Sequence, residues 1–254
     1  MKPVLHLQTD LFWEEENNPD YLSTIQKYFN VQTIDKNQIW NNILHPVCFR
    51  GSLNMAKRYK LDYRFSDCMS WIPIFRKHIL SPRNTFFNDL GYFANYSSAF
   101  DFPKYIRPAD GFKSFAGQVF PSKEKFMEEY NYLTKNLNFS DDLMCVTAPI
   151  KKIDREWRTV FVDNKFVDGC LYMQGHDFVE VENKIPEYVV KFASDIARTD
   201  YFLNIYDFVI DICESNGSLF LLEINSFNSS SFYGCNLDKI YSAWAITINN
   251  NENL

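Results

Sequence analysis

The sequence predicts an α/β fold for residues 1–100 and a mixed α+β fold, built on antiparallel hairpins, for the remainder. Three observations predict it. Before residue 100, short apolar runs alternate with segments of helical period, the pattern of an open α/β domain. Beyond residue 150, two pairs of apolar runs are joined by Asp163-Asn164 and Asn216-Gly217, residue types that supply the positive φ angles of two-residue hairpin turns. Apolar residues make up 46% of 254 positions against 23% charged, enough for a substantial core in one compact protein of one or two packed domains.

The elements follow in order. PVLHL (3–7) reads as a strand, DYLSTIQKYFN (20–30) as a helix with Leu22, Ile25 and Phe29 at helical spacing, and VQTI (31–34) as a second strand. HPVCFRGSLNMAKRYK (45–60) reads as strand, turn at Gly51, and helix with Ser52 as N-cap. Residues 81–103 carry Pro, Gly, Ser and Asn with weak periodicity, which sets the expected boundary between domains 1–100 and 101–254. KYIRPADGFKSFAGQVF (104–120) then reads as strand, long loop, strand, and PSKEKFMEEYNYLTKNL (121–137) as a helix with Phe126, Tyr130 and Leu133 on one face. DLMCVTAPIKKI (142–153) is an apolar strand running into a linker, and EWRTVFVDNKFVDGCLYM (156–173) is a hairpin. IPEYVVKFASDIART (185–199) is helical with Pro186 in its first turn, and YDFVIDICESNGSLFLLEIN (206–225) is the last hairpin. The polar tail TINNNENL (247–254) is expected to fray.

Composition excludes several function classes. A formal charge of −6 argues against a general nucleic-acid binder, whose affinity rests on Lys and Arg displacing counterions. Cys48, Cys68, Cys145, Cys170, Cys213 and Cys235 include no CxxC pair, and the four histidines show no HExxH spacing, so reduced thiols and a cytoplasmic location are expected. No run approaches the roughly 18 apolar residues of a membrane helix. The acidic run at 14–16 reads as a solvated face. Phe86, Phe87, Tyr92, Phe93 and Tyr96 cluster densely enough to suggest an inter-domain or partner contact.

The stretch FLLEINSFNSSSFYG (220–234) carries the chemistry. Glu223 and Asn225 sit two apart on a strand and so share a face, and Asp211 on the partner strand can bring its carboxylate toward Glu223. Two buried carboxylates this close repel unless a cation compensates them. A hard divalent ion such as Mg²⁺ takes oxygen ligands of this kind. The alternative is that both acids face solvent on a half-exposed sheet while Asn225 merely ends the strand; their apolar flanks, FVIDI and FLLEI, weigh against it.

VIDICESNGSLFLLEINSFNSSSFYG (209–234) resembles the C-terminal signature of ATP-grasp enzymes, in which an Asp and a following Glu-x-Asn hold metal ions on the ATP phosphates. KYIRPADGFKSFAGQVF resembles the strand-loop-strand that closes over the nucleotide, and REWRTVFVDNKFVDGCLY the strand after the adenine hinge. Arg107-Pro108 stands where most such enzymes have Lys-Pro, with Lys113 six residues on. That arrangement is similar to a divergent ATP-grasp clade common in phage and bacterial genomes, to which a eukaryotic cell-division-cycle protein that helps assemble a translation initiation factor also belongs. The resemblance covers roughly residues 100–245, and the first hundred residues match only loosely the domain that usually precedes it.

The resemblance implies an ATP-grasp fold: an N-terminal open α/β domain, then two α+β subdomains, a lid at 101–147 and a metal-binding part at 148–254, clasping ATP between antiparallel sheets. It implies that Arg107 and Lys113 contact phosphates, with Gly111 and Gly117 letting backbone N–H groups approach. The GFKS segment lacks the Gly-Lys-Ser/Thr order of a Walker A loop. Val146 and Ala148, in the CVTAPI hinge, would read adenine through their backbone; Glu156 would take the ribose hydroxyls, and Arg158 would reach phosphate or pair with Glu156. Asp211, Glu223 and Asn225 would hold Mg²⁺, and Ser229, Ser230, Ser231 and Tyr233 the acceptor substrate. The implied activity is ADP-forming ligation of a carboxylate to an amine through an acylphosphate, with Arg107, Lys113 and Arg158 as catalytic cations and a peptide or protein as the modified substrate. The implied alternative is an ATP-binding assembly factor that engages a partner protein without joining substrates.

Overall fold

The computed structural model of the chain describes residues 2–34, 48–61, 63–97, 101–179 and 185–251. In chain order, β1 (Val4–Gln8), α1 (Trp13–Asn17), α2 (Tyr21–Tyr28), β2 (Asn30–Ile34), β3 (Cys48–Arg50) and α3 (Leu53–Arg58) come first. The strands form a parallel sheet in the order β2-β1-β3. Ser52 caps α3 as its residue type predicts, its hydroxyl accepting from the Met55 N–H at 3.2 Å. The expected strand start at His45–Val47 lies outside the described residues.

The middle of the chain gives α4 (Cys68–Trp71), β4 (Phe86–Asp89), α5 (Leu90–Asn95), β5 (Lys104–Pro108), β6 (Gln118–Phe120), α6 (Lys123–Asn136) and β7 (Met144–Pro149). Its sheet runs β4-β7-β5-β6, entirely antiparallel. Phe126 and Leu133 turn from α6 into a core with Leu90, Phe93, Ile106 and Phe120. Of the aromatic cluster, Phe93 belongs to this core, while Phe86, Tyr92 and Tyr96 are exposed.

The last third gives β8 (Arg155–Val162), β9 (Lys165–Gln174), β10 (Asp177–Phe178), α7 (Glu187–Ala197), β11 (Phe208–Ser215), β12 (Ser218–Ser226) and α8 (Leu237–Asn251). The strands form an antiparallel sheet in the order β10-β9-β8-β11-β12. Both predicted tight turns are present: Asp163 and Asn164 have φ of 51° and 57°, and Asn216 and Gly217 have 51° and 74°. Of the tail expected to fray, the part up to Asn251 is helical, because Ile240, Tyr241, Trp244, Ala245 and Ile248 recur at helical spacing and are buried, and residues 252–254 lie outside the described residues.

The chain divides into two units, Met1–Asp62 with Ile153–Leu254, and Tyr63–Lys152. The boundary expected near residue 100 falls inside the second unit, because β4, before it in sequence, hydrogen-bonds to β7, after it. A core of the first unit is drawn from both chain ends: Leu5, Leu7, Ile25 and Phe29 pack with Val160, Val209, Tyr241 and Trp244. Glu14 departs from the expected solvated face. It is 0% exposed, whereas Glu16 is exposed. Among the described residues no helix is long and apolar enough to cross a membrane.

Candidate functional site

Strand register brings the predicted residues of the first unit together. Arg158 on β8 lies directly opposite Asp211 on β11, which lies directly opposite Glu223 on β12. A bulge after Asp211 shifts the pairing so that Ile212 faces Leu221, and the strand still turns Glu223 and Asn225 to the side of Asp211. Asn225 Nδ2 donates to Asp211 Oδ2 and to Glu223 Oε2, both at 3.0 Å, so one carboxamide bridges the two acids.

Arg158 compensates the buried carboxylate. Its Nε donates to Asp211 Oδ1 at 2.9 Å and its Nη2 to Oδ2 at 2.8 Å, a two-pronged ion pair in which Asp211 is 2% and Arg158 6% exposed. Burial works against the Arg158 charge, but the Asp211 carboxylate and its hydrogen bonds outweigh it and hold the guanidinium well above its ordinary pKa. The third prong, Nη1, donates to the Ser231 carbonyl at 2.5 Å. The expected pairing of Arg158 with Glu156 is not formed; Glu156 instead accepts from the Tyr172 hydroxyl at 2.6 Å. Burial raises the Glu156 carboxyl pKa, and the Tyr172 hydrogen bond opposes that rise.

Tyr172 carries no mark in the sequence that separates it from a core tyrosine. Its ring stacks on Tyr233 at 4.9 Å and 20°, and the Arg158 guanidinium lies 4.5 Å from the Tyr233 ring centroid. Tyr233 has φ of 50°, so it holds that position in a left-handed backbone. Around it, Ser231 Oγ accepts from the Trp13 N–H at 3.2 Å, and Ser230 Oγ donates to the Ser226 carbonyl at 2.6 Å. Ser230 is buried within the turn, while Ser229, Ser231 and Tyr233 are half-buried.

The second unit holds the other predicted residues. Arg107 on β5 pairs with Val146 on β7, and Tyr105 with Ala148. Arg107 Nε donates to the Pro108 carbonyl at 3.3 Å, and Lys113 sits in the following loop with φ of 49°. The glycines of this loop serve close packing. The Gly111 N–H donates to the Asp67 carboxylate. A Cβ at Gly111 would collide with Ser66 Oγ and lie 2.6 Å from the Tyr63 carbonyl, and one at Gly117 would lie 2.7 Å from Arg107 Cβ.

The donor set of the first unit suits a hard cation: two carboxylates and a carboxamide, with water and phosphate able to complete the shell. Among the described residues no group of three or more His, Cys, Asp or Glu gathers that could hold a metal. The Asn225 side-chain nitrogen is the atom assigned toward the acids, and a half-turn of the amide presents oxygen in its place.

A family model described as the ATP-grasp domain, R2K clade family 3, matches residues 29–244. No curated protein sequence matches the chain. Among solved structures, the D-cycloserine synthetase DcsG is similar with a TM-score of 0.64 at 15% identity, over 96% of this chain and 99% of that one. The ATP-grasp ligase PsnB, complexed with minimal precursor, is similar with a TM-score of 0.56 at 9% identity, over 97% and 99%. D-alanine–D-alanine ligase from Bacillus anthracis, complexed with ATP, is similar with a TM-score of 0.57 at 10% identity, over 100% and 99%. At these identities the likeness shows the fold.

Proposed function

From the premise that the chain belongs to the ATP-grasp domain, R2K clade family 3, we propose that it is an ATP- and Mg²⁺-dependent ligase that joins a carboxylate to an amine. The chain shares the fold of ATP-dependent ligases. The observation that carries the reading is the row Arg158–Asp211–Glu223 across three adjacent strands, bridged by Asn225. Buried charge of this density is costly unless the site has work for it.

Magnesium, when bound, would neutralise phosphate charge and hold the triphosphate in register. Asp211, Glu223 and Asn225 would hold it. The remaining work falls to the chain's own side chains. Arg158, already paired with Asp211, holds that carboxylate in its orientation. Arg107 and Lys113 would stabilise charge developing on the transferred phosphoryl group, and Glu156 would take the ribose hydroxyls. Val146 and Ala148 pair with Arg107 and Tyr105 across β7 and β5, so their backbone groups are engaged in the sheet rather than turned to adenine. A substrate carboxylate attacks the γ-phosphorus, the bond to the bridging oxygen of ADP breaks, and an amine then displaces phosphate from the acylphosphate. The loop Ser229–Tyr233 would receive the acceptor, and a peptide or protein is the substrate class to assay.

Thermal denaturation with and without Mg²⁺-ATP tests the reading. At about 100 times Kd the ligand should add roughly 2.7 kcal/mol, and Asp211→Asn or Glu223→Gln should abolish the gain. Substrate-stimulated ADP release then supports ligation, whereas tight ATP binding without turnover supports the assembly-factor reading. No Mg²⁺-ATP stabilisation of the wild-type chain sinks both.

A further inference from the structure

Two charges outside the proposed nucleotide-binding set are fully buried in the first unit. Glu14 in α1 and Arg50 at the end of β3 are each 0% exposed and paired at 3.0 Å. The Arg50 guanidinium lies between two rings, 4.1 Å from the Phe12 centroid and 4.0 Å from that of Phe232. Such a pair is a weak source of stability, because desolvation offsets its attraction and an apolar replacement of similar shape is often as stable. Its remaining hydrogen bonds show what it holds. Arg50 Nη1 donates to the Phe227 carbonyl at 2.7 Å, and Glu14 Oε1 accepts from the Phe232 N–H at 3.1 Å.

Those contacts grip the loop Phe227–Tyr233 at both ends. Neighbours of the pair grip it between: the Gly51 N–H donates to the Asn228 carbonyl at 3.0 Å, and the Trp13 N–H to Ser231 Oγ. The same loop gives its Ser231 carbonyl to Arg158, whose other two prongs hold Asp211. A continuous chain of hydrogen bonds thus runs from Glu14 and Arg50 through the loop to Arg158 and Asp211.

We infer that Glu14 and Arg50 are positioning residues: they fix the loop Phe227–Tyr233 and, through Ser231, the orientation of Arg158 on Asp211. The functional half of this inference rests on the proposed Mg²⁺-nucleotide site; the loop half does not. The test compares Glu14→Gln/Arg50→Met with wild type and with Ile25→Ala, a truncation in the same core with no bond to the loop. Amide exchange of peptides spanning 226–234 should accelerate about ten- to a hundredfold in the double variant, the factor lost with a hydrogen bond to a charged group, while β11 amides keep their rates. Ile25→Ala should show no acceleration specific to the loop. Affinity for Mg²⁺-AMP-PNP, read from thermal shift, should fall about tenfold in the double variant and hold in Ile25→Ala.

Unchanged loop exchange overturns the inference whatever the nucleotide does. Faster exchange with unchanged Mg²⁺-AMP-PNP affinity leaves the pair a purely structural anchor and also overturns it. If wild type itself does not bind Mg²⁺-AMP-PNP, the proposed function falls, and the exchange comparison alone decides whether the pair holds the loop. Should the double variant not fold, Arg50→Met, which removes the donor to the Phe227 carbonyl, supplies the same comparison at that end of the loop.

Discussion

Replacing Arg158 with methionine removes a positive charge while keeping most of the side-chain volume. Asp211, 2% exposed, would lose two charge-assisted hydrogen bonds and stay beside Glu223 with only the Asn225 amide for support. Breaking a buried pair by deleting one partner costs about 3–5 kcal/mol. With a urea slope of about 2–3 kcal/mol/M for a chain this long, the denaturation midpoint should fall by roughly 1–2.5 M. Urea titration followed by intrinsic tryptophan fluorescence reads this directly. Arg158→Met/Asp211→Leu should recover much of the loss, since no uncompensated charge then stays buried between the strands. A single-variant loss below about 1 kcal/mol, the value of an exposed pair, would refute the reasoning. Simple additivity of the two single variants within about 0.5 kcal/mol would refute it too.

Two further outcomes follow from geometry. Burial raises the Glu156 carboxyl pKa above its ordinary 4.5, so the stability contributed by its protonated form is complete below that pH and is lost as pH rises through the folded-state value. Glu156→Gln should therefore match wild type at low pH and gain on it as pH rises through that window; a urea-midpoint difference that does not vary with pH would contradict this. Gly217 has φ of 74° with open space around its Cα, so Gly217→Ala should cost about 1 kcal/mol from backbone strain alone, lowering Tm by roughly 2–4 °C without altering Mg²⁺-ATP binding.

Local chemistry wrote much of this molecule legibly into the sequence. Asp163-Asn164 and Asn216-Gly217 specify two hairpins, and the second puts Asp211 opposite Glu223 by strand alternation alone. Partners set by distant strands were not legible. Arg158 is 53 residues from Asp211, and nothing near it says that it pairs there rather than with Glu156, two residues away. Glu14 shows the same limit: in a run of three glutamates, the one facing Arg50 differs from its neighbours only through tertiary packing. β4 was missed because its four residues hold two aromatics and two polar groups without alternation, and its place in the sheet comes from β7. The unit division escaped for the same reason, since a core shared by residues 5–29 and 160–248 leaves no compositional seam.

That shared core has a consequence for biogenesis. The core that holds Leu5, Leu7, Ile25 and Phe29 is complete only when Tyr241, Trp244 and Ile248 have been made. At about 5–20 residues per second, a ribosome needs roughly 10–45 s to bridge that interval, during which the early segment stays sticky and unshielded. The intervening stretch Tyr63–Lys152, with a core of its own, can consolidate first. The segment carrying Leu5 to Phe29 therefore keeps part of its apolar surface uncovered until the last helix is made.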